Sequence, residues 1–136
     1  MGVRHFTELR AWQLADRLRT EVYRFTGVPP AVHDRRFCED IRASSASVCA
    51  NIAEGFGRYT HREFAGFVTI ARGSLSETQD HLISAQGRRY LTPEKFAALW
   101  SLSEDAMRAA TGLFTYLKSH PRPSGAPDPD RSTTSK

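Results

Sequence analysis

Long apolar runs are missing from this chain. No stretch approaches the ~18 residues that read as a membrane span, and the N-terminus has no signal-peptide pattern. Met1-Gly2 is followed by Phe6 where a myristoylation signal needs Ser or Thr, so that anchor is not expected. Cysteine is scarce too, with two in 136 residues. Placed on one helix, Cys38 and Cys49 stand about 16 Å apart, too far for an internal bridge. That leaves reduced, buried thiols in a cytoplasmic protein, or a bridge between chains.

Patterns that carry chemistry are equally thin. A di-iron bundle needs Glu-x-x-His on two helices, and no Glu here has a His three residues later. His5, His33, His61, His81 and His120 are scattered, and Glu77 with His81 reads as a neighbouring pair on a helix surface. There is no cysteine–histidine metal spacing, and GFGR is too short for a nucleotide-binding loop. No Arg is followed four to six residues later by His, a pairing used by some helical RNases. Ser44, Ser45 and Ser47 lie in a run of small residues without a nearby base. No catalysis, metal, cofactor or small-molecule substrate is expected.

Lysine is the last scarcity. Of 19 basic residues only Lys95, Lys118 and Lys136 are lysines; the rest are arginines. Arginine suits phosphate recognition, although codon bias gives the same composition. The net charge is +4 and the pI about 9.4. That is modest for one chain, but five copies would carry about +20 on one particle, enough to steer nucleic acid.

What remains is four amphipathic stretches in one domain, residues 1–119. The first helix is expected from Thr7, as N-cap, to Phe25, burying Leu9, Trp12, Ala15, Leu18, Val22 and Phe25. Arg10, Arg17 and Arg24 fall seven apart on another face, with Gln13 and Thr20 between them. That stripe is either a solvated outer face, partly neutralised by Asp16 and Glu21, or a line of phosphate contacts. After Gly27-Val28-Pro29-Pro30, a second helix runs from Asp34 to Phe56, burying Phe37, Ile41, Ser44, Val48 and Ile52.

The chain is organised around Ala43 to Glu63, where small residues lead into a corner. Gly55 and Gly57 read as the helix stop, and Thr60 with Glu63 as a capping box that starts the next helix. Asn51, Glu54, Arg58 and Arg62 line this corner, with Glu54 in reach of Arg58 or of an arginine from another chain. The third helix, His61 to Gln86, buries Phe64, Val68, Ala71, Leu75, Thr78 and Leu82. Its second face carries Gly66, Ile70, Gly73 and Glu77. Two mid-helix glycines cost about 1 kcal/mol each. They mark either a close contact with another backbone, where Glu77 would meet an arginine, or a thin strip facing solvent. Thr92-Pro93-Glu94 opens the fourth helix, residues 93–119. The tail, 120–136, is Pro-, Ser- and Asp-rich and is expected to stay disordered. The fold class is all-α, an up-down-up-down four-helix bundle.

From Phe6 to Leu117 the sequence also resembles a bacterial family of four-helix-bundle proteins encoded in intervening sequences of 23S rRNA genes. The accessory variability protein of diversity-generating retroelements looks like a relative. FTELRAWQLA, EVYRFT, IRASSASVCANIAEGFGR, EFAGFVTIARGSLSE and YLTPEKF carry the resemblance, in that order. It implies a bundle that assembles as a ring-shaped homo-oligomer, typically a homopentamer, with no enzymatic activity. For the retroelement relative it implies a basic surface for nucleic acid and a partner reverse transcriptase. This chain departs from the family in having Cys49 where Pro is frequent, Arg35-Arg36 where an aromatic and Gly are common, and Asp40 for Gln. Two functions stand as expectations: RNA or DNA binding without sequence preference through Arg10, Arg17, Arg24, Arg58 and Arg62, or a scaffold that docks a partner enzyme.

Overall fold

The four amphipathic stretches fold as α1 (Arg10–Thr26), α2 (Arg35–Phe56), α3 (His61–Gly87) and α4 (Pro93–Ser119). The computed structural model describes residues 2–121, so the expectation for the tail lies outside the described residues beyond Pro121. No strand occurs among them. Each helix packs on its neighbours in sequence, and α1 closes against α4. The result is an all-α, up-down-up-down bundle. Leu18, Val22, Ile41, Val48, Ile52, Val68, Leu75, Leu82 and Leu117 meet at its centre, almost fully excluded from water.

The start of α1 differs from the expectation. Thr7 is not its N-cap; Phe6–Glu8 form a 3-10 turn, and Leu9 precedes α1 in an extended conformation. The turn is capped by His5, whose backbone N–H donates to Glu8 Oε2 at 2.8 Å. Leu9 is buried, and placing it inward is what breaks the helix there. A histidine cap has no strong sequence signature.

The other caps follow the residues. Asp34 accepts the Phe37 amide at the head of α2, and Thr92 accepts Lys95 N with Pro93 in the first turn of α4. Thr60 accepts the Glu63 amide at 3.1 Å, one half of the expected capping box; the reciprocal bond is seen instead at His5 and Glu8. At the end of α3 the chain reverses in a Schellman motif, Tyr90 N to Ala85 O and Arg89 N to Gln86 O. Arg89, not a glycine, holds the left-handed position, at φ 62°.

Asp34 also ties the bundle's loop end together, taking Arg88 Nη1 at 2.7 Å and the Tyr90 hydroxyl at 2.6 Å. These bonds, Tyr90's foremost, then the Phe37 amide and Arg88, hold its carboxyl below the usual 3.8. A lowered folded value means the contribution to stability is complete above the unfolded pKa and is lost as pH falls through the folded one. Asp34→Asn, which keeps the cap, is expected to be less stable at neutral pH and to lose less on acidification. Urea midpoints measured across pH 3–7 check this; parallel acid limbs for both proteins would contradict it.

The corner between α2 and α3 works differently from a glycine stop. Gly57 caps α2 at φ −76°, a conformation open to any residue. Gly55 lies inside the helix, buried. A Cβ there would come within 2.6 Å of Phe64 Cδ1 and 2.8 Å of Phe67 Cβ. Gly55 therefore permits close approach of two helices; it does not end one. Above it a polar seam joins α2 to α3: Thr78 donates to Ser44 at 2.9 Å, Ser47 meets Ser74 at 2.9 Å, and Asn51 Nδ2 donates to Ser47. Satisfied groups of this kind fix the register of two helices.

Candidate functional site

The arginines of α1 keep their sequence spacing. Arg10, Arg17 and Arg24 are all exposed on the flank facing α4, and Arg17 and Arg24 line the groove between the two helices. The neighbouring acids do not neutralise them equally. Asp16 turns away to Arg19 at 2.6 Å, while Glu21 takes Arg24 at 2.6 Å. Arg10 and Arg17 have no acid partner among the described residues. Four other arginines are held locally, Arg35 and Arg36 by Glu39 and Asp40, Arg58 by Glu54 and Arg108 by Asp105, while Arg4, Arg62 and Arg89 are exposed and, like Arg10 and Arg17, have no acid partner among the described residues.

The groove holds about 780 Å³. Its cationic rim gains Lys95 from α4, and its floor is apolar, made by Phe25, Leu91, Leu99 and Leu102. Sequence reading missed Lys95 and this floor because they lie some seventy residues away in the chain. Antiparallel α1 and α4 supply the missing signal: the start of α4 must lie beside the end of α1.

The corner arginines are separate from this groove. In an antiparallel bundle they share the end that holds Arg10, opposite Arg24. Arg58 is bound to Glu54 at 2.7 Å and its guanidinium lies over Phe67, 4.6 Å from the ring centre. The local pairing is the one formed. Arg62 is exposed in the first turn of α3, with no acid partner among the described residues. Asn51 does not line the corner; it belongs to the α2–α3 seam.

On α3, Gly66, Ile70, Gly73 and Glu77 all face outward. A Cβ on either glycine meets nothing within 4 Å, and Ile70 is 53% exposed. Among the described residues no helix packs on that face. Glu77 lies 3.8 Å from His81, and among the described residues no arginine reaches it.

Ser44 and Ser45 donate to the carbonyls of Ile41 and Arg42. Both cysteines are buried and unbridged, and burial pushes the Cys49 thiol up to about 11. Neither thiol is placed to bridge to another chain. Among the described residues no cluster of metal-ligating side chains forms and no helix is long and apolar enough to cross a membrane. What the surface offers is unpaired guanidinium charge.

Comparison with known proteins finds relatives of the chain as a whole. The family model described as 23S rRNA-intervening sequence protein matches residues 7–112. Among solved structures, a crystal structure of a protein of unknown function from the S23 ribosomal protein family of Bacteroides thetaiotaomicron is similar, with a TM-score of 0.62. It is 20% identical, over 79% of this chain and 98% of that one. At that identity the likeness concerns the fold. None of the curated proteins matches the chain.

Proposed function

The chain belongs to the 23S rRNA-intervening sequence protein family, and from that premise we propose that it is a non-enzymatic, oligomeric bundle that binds RNA or DNA by its phosphates, in the cytoplasm and without reading sequence. One observation carries this reading. Arg10 and Arg17 hold no acid among the described residues and stand in line with Arg24 on one exposed flank, whereas Arg35, Arg36, Arg58 and Arg108 are each held by a local acid. From Arg10 to Arg24 the line covers about 21 Å of helix, roughly six nucleotides of a strand. Phosphate contacts of this kind fix position without selecting bases. Arg62 extends the set at one end; Arg58, already paired, contributes less.

Assembly rests on the outward face of α3. Gly66 and Gly73 leave room for another backbone beside an exposed Ile70, and the proposal seats a second copy there, in a ring of the pentameric kind. The same face supports a second reading, a scaffold that docks a partner enzyme such as a reverse transcriptase.

Binding to labelled single- and double-stranded RNA and DNA, titrated against salt, tests the first reading. Three or four phosphate contacts on a single strand give a log–log slope of about −2 to −3. Failure to bind any of them at low salt would overturn it in favour of the scaffold.

A further inference from the structure

The groove between α1 and α4 is more than a cationic rim. Its two acids are already engaged, Glu21 by Arg24 and Asp105 by Arg108. The free charge left on its walls is positive, Arg17 on one side and Lys95 on the other. Between them lies an apolar floor of Leu91, Leu99 and Leu102. Toward the loop end it continues into a second cavity of about 490 Å³, which shares Phe25, Val28, Leu91 and Lys95 with the first and adds Arg89.

A line of phosphate contacts alone explains the cations but not the floor. An apolar trough between cationic walls suits a chain that is charged along one edge and apolar along the other. A single nucleic-acid strand has that character, with phosphates outside and unstacked bases to bury. The first cavity lies within the range of about 300–1,000 Å³ that holds small organic groups. From Arg17 to Arg24 it follows about 10 Å of helix, the rise of about three nucleotides. A duplex cannot use it: packed helices lie about 8–10 Å apart between axes, and a rigid double helix is too wide to enter.

We infer that the α1–α4 groove is a binding site for single-stranded nucleic acid, with phosphates on Arg17 and Lys95 and bases against Leu99 and Leu102. This rests on the nucleic-acid reading above. A duplex meets only the rim arginines, so it binds more weakly.

The test compares a mixed-sequence strand of about 12 nucleotides with the same sequence closed into a duplex. Ala98 and Ser101 are exposed residues on the groove wall, so Ala98→Leu and Ser101→Leu fill it without touching the core and without adding a ring for stacking. The native protein is expected to favour the single strand by about tenfold. The two variants should lower that affinity by about tenfold each and leave duplex binding unchanged. Equal affinity for strand and duplex, or variants that bind the strand like the native protein, overturns the groove site while leaving arginine-mediated binding in place. Absence of binding to either probe at low salt removes both.

Discussion

Replacing Arg10, Arg17 and Arg24 together by glutamate is expected to lower nucleic-acid affinity by about a hundredfold or more near 0.1 M salt. The change removes three phosphate contacts and puts three like charges in their place. The salt slope should flatten with the affinity, because the counterions those contacts displaced are no longer released. All three side chains are exposed, and only Arg24 is paired, to a half-exposed Glu21. Surface pairs of that kind are worth about 0–1 kcal/mol, so the bundle should remain folded. Arg35→Glu with Arg36→Glu is the control. Those arginines sit beside Glu39 and Asp40 at the head of α2, and their reversal should cost a few-fold at most through the general field. Native-like binding by the triple variant would remove the α1 line from the argument, whatever the assembly does.

That experiment depends on a feature the sequence showed only in part. The seven-residue spacing put three arginines on one flank, and helical geometry made that legible. Which of them are free was not. Asp16 and Glu21 both stand beside the line in sequence, and only packing decides that Asp16 turns to Arg19 and Glu21 to Arg24. The groove floor was still less accessible, since Leu91, Leu99 and Leu102 come from the far end of the chain. The last three helices were legible nearly to the residue, because their apolar period and their Asp34, Thr60 and Thr92 caps agree, while the first begins three residues later than expected. Agreement failed where a residue acts against its usual preference: His5 caps, Arg89 takes a left-handed turn, and Leu9 breaks a helix to reach the core.

Glycine gives the second large effect, with opposite signs at different positions. Gly55→Ala is expected to destabilise the bundle by up to about 2 kcal/mol, the usual overpacking cost of about 1–3 kcal/mol less a helix-propensity gain of about 1 kcal/mol. The Phe64 ring can swing away from the new methyl, but Phe67 Cβ is fixed to the α3 backbone and lies 2.8 Å from it. At roughly 3–5 °C per kcal/mol for a chain of this size, the melting temperature should fall by up to about 10 °C. A larger side chain, as in Gly55→Leu, should prevent α2 and α3 from closing. Gly66→Ala and Gly73→Ala face open space, so in an isolated chain each should stabilise by about 1 kcal/mol. If a second copy seats its backbone on that face, the same methyl groups must instead weaken association. Sedimentation and thermal melts on the two variants read both effects at once. A smaller particle supports a contact face at Gly66, Ile70 and Gly73. Higher melting temperature with unchanged mass would mean that no backbone packs there and that the glycines face solvent in the assembly as they do in the single chain.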